Sequence, residues 1–107
     1  MTPQFSDLYP YDSDTVRRIV PVSSGVYRLC YKGIDGKFHV FYVGQSVDLE
    51  ERLLAHLQPS EPNDCVRDMV RTATCRFQWI VVRSQGERDK LEASEIAHFN
   101  PRCNTRR

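Results

Sequence analysis

The sequence lacks the features that mark several large classes of protein. No run of apolar residues approaches the roughly 18 that a membrane-spanning helix needs. The chain begins with polar residues, Met1 to Gln4, instead of a charged and then apolar leader. Repeats and low-complexity tracts are absent, and 107 residues leave room for one domain but not two. We therefore expect a single cytoplasmic domain over residues 1–107 that makes no contact with a membrane.

Cysteine is sparse, and its spacing argues against one kind of metal site. The four cysteines form no CxxC or CxxH pair of the sort that builds a zinc site from short loops: Cys30, Cys65, Cys75 and Cys103. Free thiols in a reducing compartment are the simpler expectation, so we predict four unpaired, buried cysteines. A zinc or thiol protein is the least favoured functional alternative, and it would carry stoichiometric zinc when purified.

Charge is nearly balanced, at a formal +1, but it is unevenly distributed. Asp7, Asp12 and Asp14 precede every Lys or Arg, so the chain from Thr15 onward holds 15 basic and 11 acidic side chains, a surplus of four. Twelve of the 15 bases are arginine, which can grip a phosphate through two hydrogen bonds. This pattern is compatible with a polyanionic partner but does not identify one.

Local patterns predict an α+β fold. After an extended lead-in over residues 1–13, a short helix follows at 14–20, capped by Ser13 or Asp14. Two strand-like runs, 25–31 and 37–43, are joined by a turn that contains Asp35-Gly36, a strong hairpin signal.

Three helices and one more strand complete the predicted fold. Apolar periodicity predicts helices at 48–57 and about 63–73, the second capped by Asn63 or Asp64. A strand at 75–82 precedes a last helix that Asn100-Pro101 stops. The order β-β-α-α-β-α indicates a small three-stranded antiparallel sheet flanked by helices.

Four features then follow one another in a fixed order: Gly25-Val26-Tyr27, Tyr42-Val43-Gly44, Arg52 with His56, and Glu92 followed by Asn104. Each tripeptide alone is common, but the ordered series resembles the GIY-YIG nuclease family. It is similar in particular to the nuclease domain of the excision-repair incision subunit. The spacing agrees as well, since Arg52 and His56 lie ten and fourteen residues after Tyr42, and Asn104 lies twelve after Glu92. The resemblance covers about residues 24–104.

The resemblance implies a role for each of these residues. Tyr27 and Tyr42 stand on adjacent strands, and one of them acts as, or helps to activate, the general base for an attacking water. A free phenol has a pKa of about 10, so a metal or nearby cations must lower it. Arg52 would neutralise charge on the phosphate, and His56, one helical turn later, would position a phosphate or relay a proton.

The resemblance also implies one divalent metal, Mg²⁺ or Mn²⁺, held by Glu92. Glu95 is the second choice, because only Glu92 keeps the twelve-residue step to Asn104. Asn104 is expected to tie the chain's tail back to the site, and Gly44 and Gln45 to line or support it. The tail carries three arginines that either contact the backbone of a DNA duplex or belong to a frayed chain end: Arg102, Arg106 and Arg107.

The sequence departs from the repair subunit in two places. Gln45 stands where that subunit carries Lys, and a neutral amide supplies no positive field, which puts the rate or the choice of base in doubt. The hairpin tip at 32–37 is longer, a change that hairpin tips tolerate. Without the motif, Tyr27 and Tyr42 would be ordinary strand tyrosines, and Arg52 a solvated partner of Asp48.

We therefore expect a metal-dependent endonuclease that nicks or cuts DNA, with a protein partner as a possible source of target selection. The alternative, motivated by Gln45, is a catalytically weak or inactive module that binds nucleic acid or protein and keeps the fold. The sequence leaves open the DNA structure preferred, DNA against RNA, the pathway and the oligomeric state.

Overall fold

An antiparallel sheet forms the centre of the computed structural model, which describes residues 4–104. Helices pack on the sheet, and a short 3₁₀ turn follows the last helix. The strands are β1 (Tyr9–Pro10), β2 (Gly25–Lys32), β3 (Phe38–Ser46) and β4 (Cys75–Val81), and they lie in the order β1-β4-β2-β3. The helices are α1 (Ser13–Ile19), α2 (Leu49–Ala55), α3 (Asp64–Thr72) and α4 (Gln85–Phe99), and the 3₁₀ turn is Arg102–Asn104. The α+β prediction is confirmed.

The prediction of three strands was wrong, because the lead-in supplies a fourth. Tyr9 and Pro10 pair with Phe77 and Arg76 on the outer edge of β4. Backbone hydrogen bonds on either side of this pair, from Ser6 N to Trp79 O at 2.8 Å and from Tyr11 N to Cys75 O at 3.1 Å, extend the contact. A two-residue strand that contains proline shows no alternation, so the sequence pattern could not reveal it.

The predicted hairpin forms, and its register places the two motif tyrosines on one face. Tyr27 in β2 lies opposite Gly44 in β3, and Leu29 lies opposite Tyr42. Because alternate residues of a strand share a face, Tyr27 and Tyr42 both point toward the side covered by α2. The turn contains Gly36 in the left-handed region, with φ of 79°, as an Asp-Gly turn requires.

Side-chain caps fix where the helices begin and end. Asp48 caps α2 by accepting a hydrogen bond from Glu51 N, and Asn63 caps α3 through Val66 N. The cap of α1 is Asp12, one or two residues earlier than predicted, and it accepts from Thr15 N. At the other end of α4, Asn100 adopts a left-handed φ of 46° and stops the helix before Pro101.

The main hydrophobic core lies between the hairpin and the first three helices. Its fully buried members include Val16, Tyr27, Leu29, Phe41, Leu49, Leu53, Val66 and Phe77. Helix α4 contacts β2 and β3 through other side chains, such as the pair of Arg28 on β2 with Glu95 on α4. Across residues 4–104 no helix is both long enough and apolar enough to cross a bilayer.

The expectation of four free cysteines was wrong for two of them. Cys65, in the first turn of α3, forms a disulfide with Cys103 in the 3₁₀ turn, 38 residues later. Cys30 and Cys75 are free. The pairing depends on α3 packing against the turn that follows α4, a contact between distant parts of the chain that cysteine spacing cannot reveal. The disulfide fastens that turn, which carries Asn104, to the start of α3.

Candidate active site

A buried chain of hydrogen bonds lies at the end of the hairpin. The Tyr27 hydroxyl and His56 Nε2 are 2.6 Å apart, and His56 Nδ1 lies 2.9 Å from Glu61 Oε1. Tyr27 is 0% exposed, His56 2% and Glu61 5%, so all three are sealed from solvent. Strand β2 positions Tyr27, and the C-terminal cap of α2 positions His56.

Glu61 was missed by the sequence analysis. It lies between Pro59 and Pro62, in a stretch that served only to end α2 in the prediction. Its Oε2 accepts a hydrogen bond from Asn63 N at 2.9 Å, and its carbonyl accepts one from Arg67 Nη1 at 2.8 Å. An acid five residues after a histidine is a weak signal, so only the folded loop identifies it.

Gly44 leaves the space that Tyr27 occupies. A Cβ built on Gly44 would lie 2.3 Å from the Tyr27 hydroxyl oxygen and 2.5 Å from its Cζ. Both distances are far below van der Waals contact, so the tyrosine ring lies directly against the glycine backbone. The glycine of the second motif is therefore the packing partner of the tyrosine of the first.

Tyr42 is the phenol that a ligand can reach. It is half-buried, and its ring centroid lies 6.2 Å from that of Tyr27 and 5.3 Å from that of His56. Tyr27, in contrast, is fully buried and bonded to His56. The two motif tyrosines thus occupy an inner and an outer position.

Arg52 faces both phenols from α2. Burial raises the pKa of Tyr27 above its ordinary value, and the Arg52 guanidinium offsets part of that rise. The pKa of Tyr42 is also raised by burial, with Arg52 opposing the shift and Glu92 adding to it. The alternative pairing of Arg52 with Asp48 is absent from residues 4–104, because Asp48 caps α2 instead.

Glu92 belongs to a polar network at the N-terminal half of α4. Its Oε1 accepts from Gln45 Nε2 at 2.9 Å, and the same amide nitrogen donates to Asp89 Oδ1 at 2.8 Å. Gln85 Nε2 completes the network by donating to Gln45 Oε1 and to Asp89 Oδ1. These amide hydrogen bonds lower the pKa of the Asp89 carboxyl. Gln45 therefore bridges two carboxylates at the position where the resemblance leads one to expect lysine.

Glu95, the second choice for a metal ligand, is already engaged. Its Oε2 accepts from Arg28 Nη2 at 2.9 Å, and its Oε1 accepts from Arg28 Nε. A bidentate pair of this kind holds both side chains in one geometry. Glu92 is thus the acid of α4 that remains near Tyr42.

The donors around Glu92 fit a hydrated hard cation. Between residues 4 and 104 no three His, Cys, Asp or Glu side chains converge on one point, so a closed zinc-type site is not formed there. Mg²⁺ and Mn²⁺ prefer oxygen ligands, and Mg²⁺ keeps several waters when few carboxylates bind it. Glu92, whose Oε2 accepts no hydrogen bond within residues 4–104, matches that chemistry together with Asp89 beside it.

Asn104 lies against the second motif. Its Oδ1 accepts from Val43 N and its Nδ2 donates to Val43 O, each at 2.9 Å. The side-chain amide thus makes the two backbone hydrogen bonds that a neighbouring strand would make at the free edge of β3, one residue before Gly44. Arg102 is exposed, and its guanidinium carbon lies 5.4 Å from the Tyr31 ring centroid. Arg106 and Arg107 lie outside the described residues.

Removing the Asn104 amide is expected to destabilise the domain. Asn104→Ala leaves both polar groups of Val43 without their partner, which costs about 1–3 kcal/mol per buried unsatisfied group. We expect a lower midpoint in urea unfolding. Asn100→Gly is the matched control, because it removes another amide from a left-handed position that glycine adopts freely. Equal midpoints for Asn104→Ala and the parent protein would contradict the role of this contact.

Acid is expected to weaken the fold through His56. Burial lowers its pKa from the ordinary 6.5, although Glu61 opposes the shift. The unfolded chain therefore binds this proton at a higher pH than the folded chain does. Stability from this group is complete above about pH 6.5 and is lost as the pH falls from there toward the lowered pKa.

The comparison that checks this uses urea unfolding at about pH 7.5 and 5.5. His56→Gln cannot titrate, so we expect it to lose less unfolding free energy on acidification than the parent protein. His98→Gln removes an exposed histidine and should keep the parent's acid sensitivity. A parent and a His56→Gln variant with the same pH dependence would show that His56 does not set it.

Comparison with known proteins finds relatives of this domain in both sequence and structure. The model of the UvrC-like GIY-YIG domain matches residues 23–105. UvrABC system protein C of Mycobacterium marinum is 39% identical over 93 residues, which cover 81% of this chain and 13% of that protein. The corresponding protein of Acidothermus cellulolyticus is 36% identical over 86 residues, 79% of this chain and 13% of its own length. The chain thus spans a small part of these curated relatives.

The fold is also shared with a solved nuclease domain. The GIY-YIG N-terminal endonuclease domain of UvrC from Thermotoga maritima, in a point mutant bound to its catalytic divalent cation, superposes with a TM-score of 0.68 at 27% identity. The match covers 87% of this chain and 98% of that one. The same domain bound to magnesium gives a TM-score of 0.67, also at 27% identity, covering 86% and 98%. The predicted resemblance is confirmed, and the chain belongs to the UvrC-like GIY-YIG domain family.

Proposed function

We propose that this domain is a divalent-metal-dependent DNA endonuclease that hydrolyses a phosphodiester bond, with Mg²⁺ or Mn²⁺ as its cofactor. The observation that carries the proposal is the grouping of Tyr42, Arg52 and Glu92 outside a sealed Tyr27–His56 pair. A reachable phenol, a cation and a carboxylate can supply the base, the charge stabilisation and the metal ligand for phosphodiester hydrolysis. The solved relative, an endonuclease domain bound to a divalent cation, supports the same assignment.

Each outer residue has a task that follows from its position. Arg52 is exposed on α2, so its guanidinium can contact a phosphate oxygen and neutralise the charge that builds there. The Tyr42 oxygen, on a half-buried side chain that faces Arg52, can accept the proton of an attacking water once its phenol is ionised. Glu92 would hold the metal, which when bound would polarise the phosphate and favour the ionised form of the Tyr42 phenol nearby.

The inner residues hold the outer ones in place. Tyr27 packs on Gly44 and bonds to His56, so it is a structural neighbour of the reacting groups and does not itself reach solvent. Asn104 fixes the β3 edge beside Gly44. Gln45 orients the Glu92 carboxylate through a neutral hydrogen bond, where a lysine would add a positive charge.

The bridging amide also favours one alternative, a module that binds nucleic acid without cutting it. Gln45 occupies Glu92 Oε1 and ties it to Asp89, so metal binding must share or displace that contact. A protein in which the contact persists would bind DNA in a salt-dependent way and leave it intact.

The curated relatives are named as components of a UvrABC system, and this chain matches only 13% of the first of them. We propose that a protein partner, or further domains, select the DNA that this domain cuts. A site made of four or five residues carries little information about base sequence, because phosphate contacts position a protein but do not specify sequence.

The test is nicking of a supercoiled plasmid by purified protein with Mg²⁺ or Mn²⁺. We expect relaxed circles that appear with either metal and disappear when a chelator is added. Arg52→Ala should slow nicking by about 100- to 1,000-fold, the range seen when one preorganised charge-stabilising donor is removed. Salt-sensitive DNA binding without nicking, under every divalent metal and on branched as well as duplex substrates, would support the binding module instead.

A further inference from the structure

Glu61 lies at the inner end of the buried chain of hydrogen bonds that runs from Tyr27 through His56, and it belongs to none of the sequence motifs. Each of its two carboxylate oxygens contacts a nitrogen: Oε1 lies 2.9 Å from His56 Nδ1, and Oε2 accepts a hydrogen bond from Asn63 N at 2.9 Å. A carboxylate that carries no proton can only accept hydrogen bonds, and Oε2 already accepts one from a backbone N–H. Arg67 holds the loop in place by donating to the Glu61 carbonyl.

Because Glu61 can only accept, it sets the direction of the other hydrogen bonds in this buried series. Burial lowers the pKa of His56, so at neutral pH its ring carries one proton. Because Glu61 only accepts, that proton resides on Nδ1, and Nε2 is left as an acceptor. The Tyr27 hydroxyl, 2.6 Å away, must then be the donor to Nε2. The lone pairs of its oxygen are then available to the Arg52 guanidinium, which is near enough to oppose the rise in the Tyr27 pKa.

We propose that Glu61 is a positioning residue for the phosphodiesterase reaction: it fixes the Nδ1–H form of His56, which keeps the Tyr27 hydroxyl donating inward and its oxygen free to orient Arg52. The inference rests on the proposed function, because it assigns Arg52 to the phosphate. Without the carboxylate, His56 can carry its proton on Nε2 instead. Tyr27 would then have to accept from His56, and its hydroxyl hydrogen would point toward the Arg52 guanidinium.

Other charged and titratable groups around His56 do not replace Glu61. Tyr42 contacts the ring edge-on, and Arg52 approaches from its own helix, but neither is within hydrogen-bond distance of Nδ1 in the described structure. Asn63 presents a backbone donor to Glu61 and offers no acceptor to His56 there. The Nδ1 proton therefore has one partner, and that partner is the carboxylate.

Two substitutions separate this role from simple packing. Glu61→Ala removes the acceptor. Glu61→Gln keeps the size but supplies one oxygen for two donors, so either Asn63 N faces an NH₂ group or the His56 ring changes its tautomer. Glu51→Gln on α2 is the matched control, because its side chain is exposed. Circular dichroism would establish that each variant is folded.

The first readout is the tautomer itself, from the ¹⁵N shifts of the His56 ring. The parent and Glu51→Gln should show the Nδ1–H form at neutral pH, and Glu61→Ala should show the Nε2–H form or a mixture. The second readout is plasmid nicking. We expect kcat to fall by about 10- to 100-fold in Glu61→Ala, a range typical for residues that orient a functional side chain, and less in Glu61→Gln, with KM for DNA unchanged.

Folded variants that retain the Nδ1–H form, or that nick at the parent rate, would overturn the proposal. A loss that appears only in KM would overturn it as well, since an orienting role acts on the chemical step. A parent protein that never cuts DNA would instead contradict the proposed function. In that case a tautomer change in Glu61→Ala would leave Glu61 as an architectural residue, and its catalytic role would be rejected.

Discussion

Glu92→Gln is expected to abolish metal-dependent nicking while the domain stays folded. The substitution keeps an oxygen that can accept from Gln45 Nε2, so the polar network on α4 needs little rearrangement. It removes the negative charge that a divalent cation requires. A bound metal supplies several kcal/mol of transition-state stabilisation, and each 1.4 kcal/mol is tenfold in rate, so kcat should fall about 1,000-fold or more.

Two measurements check this result. Calorimetric titration with Mn²⁺ should show binding by the parent protein and none by Glu92→Gln, which separates loss of the metal from loss of the chemistry. Glu87→Gln changes an exposed acid on the same helix and should retain both metal binding and nicking. If Glu92→Gln bound Mn²⁺ as the parent does, the metal would lie elsewhere. If it also nicked DNA as fast, the activity would belong to a contaminant.

Those parts of the fold that depend on local periodicity could be predicted from the sequence. Asp35-Gly36 specifies a tight turn, and alternation on either side of it specifies the strands, so the hairpin that carries Tyr27 and Tyr42 on adjacent strands could be predicted. The i, i+4 spacing on α2 likewise placed Arg52 and His56 near one another. In each case the relevant contacts are a few residues apart or are imposed by a single turn.

What could not be predicted depends on contacts between distant segments. The edge strand at Tyr9–Pro10 forms because β4 has a free edge beside it, and the Cys65–Cys103 bridge forms because α3 meets the turn after α4. Glu61 lies in a loop whose path brings it under His56. None of these residues stands in a periodic pattern, and the energy that fixes them comes from packing that only the folded chain provides.

The position of Gln45 shows how one substitution can be read only in the structure. The sequence suggested a loss, a missing positive charge near the phosphate. In the structure the Gln45 amide donates hydrogen bonds to Glu92 and Asp89 and accepts one from Gln85. A lysine there could neutralise the two acids but could not also accept from Gln85. Glutamine therefore makes a set of hydrogen bonds at this position that a lysine could not make in full.

Gly44→Ala is expected to destabilise the domain through the addition of a single methyl group next to Tyr27. The new Cβ would lie 2.3 Å from the Tyr27 hydroxyl oxygen and 2.5 Å from Cζ, so the ring must move away from the strand. Tyr27 is fully buried, and forcing an extra carbon into a packed core costs about 1–3 kcal/mol. Movement of the ring also lengthens the 2.6 Å contact with His56, which leaves a buried nitrogen without its donor.

Comparing the urea unfolding of Gly44→Ala with that of Gly86→Ala isolates the effect of the clash with Tyr27, because both variants add one methyl group to a glycine. The Cβ at Gly86 would meet nothing closer than Ser84 Oγ at 3.9 Å, an ordinary contact within α4, where alanine is favoured over glycine by about 0.5–1 kcal/mol. We therefore expect Gly86→Ala to be as stable as the parent or more so, and Gly44→Ala to unfold at a lower urea concentration. The ring resonances of Tyr27 and His56 should shift only in Gly44→Ala, with nicking reduced. Unchanged stability and unchanged resonances in Gly44→Ala would mean that Tyr27 does not lie against the β3 backbone, and the inner hydrogen-bond chain would have to be placed elsewhere.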